Sequence, residues 1–302
     1  MLEPKPAYTS DPPPPPVPLK PSRPPGREPL IARPMTAVAA AAYAFGTTLL
    51  FHLLAALTVT LRPGAASDLV NGFACQLVAY LAGFLVILRV HAPQGSIREI
   101  LGFRATHPAF YPLGLLLGLA LVVPVNSLYD FLESRYPSAP GHEDRLVELL
   151  LASSTPKRVV LGLIIVLAGP LLEEVFFRGA LLSPLRRAHT LGASVVATAA
   201  LFALAHDGWQ MWAPIAVVGV ALGLMRVASG SLVPSVLLHA TFNAVPFYSV
   251  LASAKPEEAA KHPAALPAIL ASTAFAAVIV YVIRLVATRT ADAARAQEND
   301  NR

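Results

Sequence analysis

Two adjacent carboxylates and an arginine, in the segment Glu173–Ala180 (EEVFFRGA), directly follow an apolar run that extends from Val159 to Leu172. A helix that crosses a membrane needs about 20 apolar residues, and this run is typical of one. A charged side chain at bilayer depth costs roughly 2.5–3.5 kcal/mol on insertion scales, so such residues are candidates for a functional site. Later apolar runs carry further polar residues, namely His206, His239 and Asn243. The sequence therefore predicts a membrane protein with buried acids, bases and hydrogen-bond donors.

The composition agrees with a chain that lies mostly in lipid. Of the 302 residues, 55% are hydrophobic and 14% are charged, whereas a soluble domain is about 25% charged. The net charge of +5 is attributed to loops and chain ends, so the lipid bilayer is the expected partner and nucleic acid is not. The single cysteine, Cys75, excludes an internal disulfide and a cysteine-rich metal site.

Three regions follow from the distribution of residues. Residues 1–34 hold 13 of the 29 prolines, which predicts a disordered or polyproline tail. This tail could dock a cytoplasmic partner that binds PxxP, or it could act only as a tether. Residues 35–288 are predicted to form a transmembrane bundle with its motifs in 159–250, and residues 289–302 a polar C-terminal tail.

The predicted fold class is all-α, a polytopic membrane helix bundle with about eight transmembrane helices. The fifth and sixth spans are short for a bilayer. The predicted spans are Met35–Leu61, Leu69–Leu88, Phe110–Tyr129, Val159–Leu182, Leu191–Ala205, Trp212–Val227, Leu232–Leu251 and Ala264–Ile283.

The positions of the basic residues predict the orientation of the chain. With the amino terminus in the cytoplasm, 16 of the 23 Lys and Arg residues fall on the cytoplasmic side. Cytoplasmic loops are enriched in Lys and Arg. We therefore expect a multi-pass protein of the cell (inner) membrane with both termini in the cytoplasm.

The two adjacent glutamates are predicted to have different roles. Neighbouring residues of a helix point about 100° apart, so Glu173 and Glu174 are not expected to share one task. Glu174 and Arg178 are four apart and can neutralise each other on one face, as structural support. Glu173 has no such partner in its own helix, and a carboxyl in a dry site suits a general base or acid. A salt-bridge clamp that only holds helices together remains the alternative.

His206, His239 and Asn243 supply the other polar groups. His239 and Asn243 are four apart in an apolar run, so they share a face and need partners within the bundle. Two donors on one face can hold an oxyanion, or they can only join helices. Estimated from the span ends, Glu173 and His239 each lie roughly 10 Å inside the cytoplasmic boundary. His206 comes out nearer the other side, a disagreement between the predicted span bounds.

Together these motifs resemble the CPBP family of intramembrane proteases, which includes the CAAX prenyl endopeptidase and bacterial abortive-infection proteins. The family's EExxxR motif corresponds to Glu173-Glu174-Val-Phe-Phe-Arg178, FxxxH to Phe202–His206, and HxxxN to His239–Asn243. The three motifs stand in the family's order on three separate predicted spans. The resemblance covers about Val159–Val250.

The resemblance implies hydrolysis of a peptide bond inside the membrane. In the family, the residues that match Glu173 and His206 position and activate a water, and those that match His239 and Asn243 stabilise the oxyanion. The family is often described as metalloprotease, and a divalent metal such as zinc would be held by Glu173, His206 and His239. A glutamate–histidine site without metal is equally consistent with the sequence.

The substrate and the competing functions stay open at this stage. A membrane protein or peptide is the expected substrate, including C-terminal sorting signals cut after export, and prenylated substrates are not assumed. A non-catalytic membrane scaffold or bacteriocin-immunity protein could retain the same residues. A proton-coupled transporter could also use intramembrane Glu and His, but such transporters tend to have internal repeats, and this sequence has no matching halves.

Overall fold

The computed structural model describes residues 33–93, 95–138, 142–253 and 264–300, and this part of the chain is all-helical. Most of the predicted proline-rich tail lies outside the described residues. The helices are α1 Ala37–Leu61, α2 Leu69–His91, α3 Ile97–Leu101, α4 Phe110–Arg135, α5 His142–Leu151, α6 Thr155–Ala188, α7 Leu191–Leu204, α8 Trp212–Ser229, α9 Val233–Ala252 and α10 Leu266–Asp300.

Seven of the described helices are long and apolar enough to cross a membrane, namely α1, α2, α4, α6, α8, α9 and α10. The polytopic helix bundle predicted from the sequence is confirmed. The predicted fifth span is α7, which has 14 residues and is therefore only about 21 Å long. The hydrocarbon core of a bilayer is about 30 Å thick, so α7 is shorter than a full span.

Two helices extend beyond their predicted ends. α6 continues to Ala188, although its apolar run ends near Leu182. α10 continues to Asp300 through most of the predicted polar tail, because that segment is rich in alanine, the residue with the highest helix propensity.

α6 is not a regular α-helix throughout. It contains two π-helical segments, Leu163–Ala168 and Val175–Leu181, with the acidic pair in the α-helical stretch between them. Each π-helical turn inserts about one extra residue into the helix, and such turns occur frequently at functional sites. The helix therefore changes its register on both sides of Glu173.

The longer α6 resolves the depth disagreement for His206. Glu173 precedes the end of α6 at Ala188 by 15 residues, and His206 follows the start of α7 at Leu191 by 15 residues. Both distances correspond to about 22 Å along a helix axis. Only two residues connect α6 to α7, so the two helices run antiparallel and bring both side chains to a similar depth.

α9 is held against α4 by glycines. A methyl group on Gly118 would lie 2.5 Å from the carbonyl oxygen of Leu238, and one on Gly114 would lie 2.6 Å from that of Pro234. Small residues allow transmembrane helices to approach this closely. Because Leu238 immediately precedes His239, this contact fixes the depth and rotation of the helix that carries His239.

Candidate active site

Glu174 and Arg178 form the buried core of the site. Both side chains are fully buried, and Arg178 Nη1 lies 2.7 Å from Glu174 Oε1. Arg178 Nη2 also donates a hydrogen bond to the carbonyl oxygen of Gly219 at 3.0 Å. Ser235 Oγ donates to Glu174 Oε2. The ion pair that the four-residue spacing predicts therefore joins α6 to both α8 and α9.

The aromatic ring of Phe202 covers the charged pair on a third side. The Arg178 guanidinium lies 4.5 Å from the centre of this ring, which places the cation over the electron-rich face. The backbone and side chains around Arg178 thus supply an acceptor, a counter-ion and an aromatic face. Such a set offsets part of the cost of burying a guanidinium in lipid.

Glu173 lies beside this pair but is not sealed off from solvent. Its side chain is 14% exposed, in contrast to the fully buried Glu174. Its Oε1 accepts a hydrogen bond from Nε2 of Gln76 on α2 at 3.1 Å. Glu173 therefore has a partner from another helix, and one of its carboxylate oxygens is fixed in place.

His239 lies between the two carboxylates. Its Nε2 is 3.6 Å from Glu173 Oε2, and its Nδ1 is 3.4 Å from Glu174 Oε1. Both distances exceed the 2.7–3.2 Å of an ordinary N–H···O hydrogen bond, so His239 lies near both carboxylates without forming a short hydrogen bond to either. Both carboxylates therefore face one imidazole, and their separate roles stay a prediction.

Asn243 faces α6 one helical turn after His239. Its Nδ2 donates a hydrogen bond to the carbonyl oxygen of Ile165 at 3.1 Å, within the π-helical segment Leu163–Ala168. The amide thus satisfies a backbone acceptor in the irregular part of α6 and keeps a second N–H for another acceptor. The role in oxyanion binding stays a prediction.

His206 contacts the site through Phe202. Its Nδ1 lies 2.8 Å from the carbonyl oxygen of Phe202. A carbonyl oxygen only accepts, so in the neutral ring Nδ1 carries the hydrogen and Nε2 keeps a free lone pair. The Phe202 ring packs edge-on against His206 at 4.8 Å and against His239 at 5.6 Å between ring centres. The two imidazoles are thus joined by one aromatic ring.

The predicted metal ligands do not converge. Glu173 and His239 approach each other, but Nδ1 of His206 faces the carbonyl oxygen of Phe202, and the Phe202 ring packs against both imidazoles. Among the described residues, no group of three or more His, Cys, Asp or Glu side chains is arranged to hold a metal ion. Zinc requires three or four donors at about 2.0–2.3 Å, so the residues in this arrangement do not fit a zinc site.

Glu173 and Asn243 both line a cavity of about 740 Å³. It lies between α1 and α2 on one side and α6 and α9 on the other, and Gln76 also lines it. A volume of this size is within the range of about 300–1,000 Å³ that is typical of ligand pockets. The described structure therefore provides a space in which a substrate group can approach the partly exposed Glu173.

The structure places the predicted residues in three positions. His239 lies beside both Glu173 and Glu174, and Glu174 pairs with Arg178. Asn243 lies in the cavity wall, and His206 is linked to His239 through Phe202. Sequence reasoning missed Gln76 and Ser235, which donate to the two carboxylates. Gln76 is a polar residue in an apolar span, the same signal that identified Asn243.

Replacement of Gln76 by leucine is expected to slow any reaction that uses Glu173, because the carboxylate would lose the donor that orients it. A hydrogen bond to a charged group is worth about 1.5–3 kcal/mol, so we expect kcat to fall roughly 10- to 100-fold with KM little changed. Steady-state kinetics on a substrate of the protein measures this effect. The control is Leu77→Met, because Leu77 is exposed on the same helix; a parallel rise in KM would argue against a positioning role.

Comparison with known proteins identifies the segment that contains the site. Residues 155–245 match the family model described as type II CAAX prenyl endopeptidase Rce1-like. This match confirms the predicted resemblance to the CPBP family and spans α6 to α9, which carry all three motifs. An uncharacterised 24.3 kDa protein of Escherichia coli is 32% identical over an alignment of 102 residues that covers 32% of this chain. The chain covers 47% of that relative, and no solved structure matches.

Proposed function

We propose that this chain, whose residues 155–245 resemble the type II CAAX prenyl endopeptidases, is an intramembrane endopeptidase in which Glu173 activates a water. The observation that supports this function best is that Glu173 lines the cavity between α1, α2, α6 and α9. A side chain that only held helices together would need no access to such a space. Glu174 provides the contrast, since it is fully buried and paired with Arg178.

The proposed reaction follows from the groups around Glu173. Its carboxylate accepts a proton from a water in the cavity while the water oxygen bonds to the carbonyl carbon of the substrate. The oxyanion that forms is stabilised by hydrogen-bond donors from α9, for which we assign His239 and the second N–H of Asn243. The proton then passes to the leaving nitrogen as the C–N bond breaks. The products are a new carboxyl terminus and a new amino terminus.

The remaining polar residues hold this arrangement. Gln76 fixes one oxygen of Glu173, while Glu174 and Arg178 keep α6, α8 and α9 in register. We assign His206 to water positioning through its free Nε2, with Phe202 between it and His239. All these roles use side chains of this chain.

The protein is a multi-pass membrane protein by its seven long apolar helices. We propose that it lies in the cell (inner) membrane with both termini in the cytoplasm and with α7 as a short eighth crossing, because most Lys and Arg residues then fall on the cytoplasmic side. Its substrate is a membrane-associated protein or peptide. Our proposal does not require the substrate to carry a prenyl group, although the matched family is named for prenylated substrates.

The test compares a null strain with the same strain that carries the wild-type gene, by terminus-resolved proteomics of membranes. We expect new protein termini that depend on the wild-type gene and are absent with a Glu173→Gln gene at matched protein level. These termini would also identify the substrates. Identical termini in all three strains, with the Glu173 variant still restoring any phenotype of the null strain, would favour a membrane scaffold.

A further inference from the structure

The candidate cavity occupies one half of the bundle. The connection Arg62–Asp68 joins the end of α1 to the start of α2. We call the surface of the membrane at which this connection lies the α1–α2 face. The cavity is lined by the last part of α1, by the first part of α2 and by Ala65, Ala66 and Asp68 of the connection. α6 contributes residues from Leu161 to Glu173. Leu161 belongs to an apolar cluster against which Leu69 at the start of α2 packs, so this end of α6 also lies at the α1–α2 face.

On the other side of Glu173 the bundle is filled with side chains. The rings of Tyr80 and Phe176 lie 5.0 Å apart, and those of Phe176 and Phe177 lie 5.1 Å apart. All three residues are buried, as are Glu174 and Arg178. The described residues that line the cavity therefore run only from Glu173 toward the α1–α2 face.

The rim of the cavity is open along α1 and at the connection. His52, Ala56 and Ala66 line the cavity and are exposed. His52 and Ala56 lie within α1, so the opening continues from the membrane surface down the side of this helix. A substrate anchored in lipid can thus approach the cavity without leaving the bilayer.

The proposed reaction restricts the conformation of the occupant. The carbonyl oxygen of a residue within a helix accepts a hydrogen bond from the N–H four residues later. A carbonyl that is free for attack therefore belongs to an extended segment. The cavity of about 740 Å³ next to Glu173 gives such a segment room to lie against α1 and α2.

We propose that the substrate enters from the α1–α2 face as an extended segment, and that Gly72 and Ala56 limit the size of the side chains next to the cleaved bond. This inference rests on the proposed peptidase function. The start of α1 lies on the opposite face, so with a cytoplasmic amino terminus the cleaved bond belongs to an exported segment. The products of a reaction that inserts or exports membrane proteins would supply such a substrate.

The first test fills the cavity without disturbing the packing. A Cβ on Gly72 meets no atom within 4 Å, so Gly72→Leu extends into the cavity. We expect at least a tenfold loss of cleavage. Gly46→Leu is the matched control, because Gly46 also has no atom within 4 Å of its Cβ but lies outside the cavity. Equal cleavage by both variants would overturn the proposed route.

The second test measures from which side of the membrane the rim of the cavity is accessible. In a Cys75→Ala background, Ala66→Cys places a thiol at the rim of the cavity, and Ala193→Cys places one at the start of α7 near the opposite face. We expect a membrane-impermeant maleimide to label Ala66→Cys in spheroplasts and Ala193→Cys only in inverted vesicles. Labelling with a bulky maleimide is expected to block cleavage by the first variant alone.

The outcomes distinguish a failure of the proposed entry route from a failure of the proposed peptidase function. Unchanged cleavage after complete labelling of Ala66→Cys would refute the route while wild type still cleaves. Labelling of Ala66→Cys only in inverted vesicles would refute an exported substrate. If wild type itself produces no new termini, the peptidase function fails, whatever the labelling shows.

Discussion

The Glu173→Gln variant is expected to cleave its substrate about 10²- to 10⁴-fold more slowly than wild type, the usual contribution of a general base. Glutamine keeps the shape of the side chain, and its Oε1 can still accept the hydrogen bond that Gln76 Nε2 donates at 3.1 Å. The change therefore removes the proton acceptor with little effect on packing. Single-turnover cleavage of a substrate identified by its new termini, in reconstituted membranes, measures the loss.

The control for this variant is the thermal unfolding midpoint, which should match wild type because Glu173 is partly exposed and belongs to no buried ion pair with Arg178. Glu173→Asp is a second control. It keeps the carboxylate but withdraws it by one methylene, so an activity between wild type and Glu173→Gln is expected. Full activity of Glu173→Gln would show that another group activates the water.

The Arg178→Met variant is expected to lose about 3–5 kcal/mol of stability, the typical cost of breaking a buried ion pair. Methionine is similar in length but leaves the Glu174 carboxylate buried without its cation. It also removes the donor to the carbonyl oxygen of Gly219. The measurement is the unfolding midpoint in mild detergent, together with the level of folded protein in membranes.

An exposed ion pair of the same chain provides the matched control. Arg62 and Asp68 are 2.9 Å apart with side chains 64% and 31% exposed, so Arg62→Met should cost less than about 1 kcal/mol. The double variant Glu174→Gln/Arg178→Met should be more stable than Arg178→Met alone, because no uncompensated charge is buried. If Arg178→Met unfolds no more easily than Arg62→Met, the buried pair does not stabilise the bundle.

The membrane helices could be predicted because apolar runs of sufficient length form helices in lipid whatever their neighbours are. Their ends were less predictable. α6 passes Leu182 and reaches Ala188 through two arginines, Arg186 and Arg187, since a helix can continue past the end of its apolar run. The predicted end of the fourth span therefore placed Glu173 too close to the end of its helix, and the observed end of α6 brings Glu173 to the depth of His206.

The site could be predicted only where its partners are close in sequence. Glu174 and Arg178 are four apart, and their ion pair forms. Gln76 is 97 residues from Glu173, so no spacing along the chain relates them. Only the packing of α2 on α6 does so. The contact of His239 with both carboxylates likewise depends on how α9 is rotated against α6.

The π-helical segment Leu163–Ala168 has a consequence for the direction in which Glu173 points. An extra residue in one turn rotates everything after it by about 100° relative to what comes before. Deletion of one residue from this segment would restore a regular helix, and Glu173 would then turn away from the wall that Leu161 and Ile165 form. The Asn243 amide donates a hydrogen bond to the Ile165 carbonyl oxygen at 3.1 Å. By stabilising this π-helical segment, Asn243 therefore maintains the orientation of the Glu173 carboxylate.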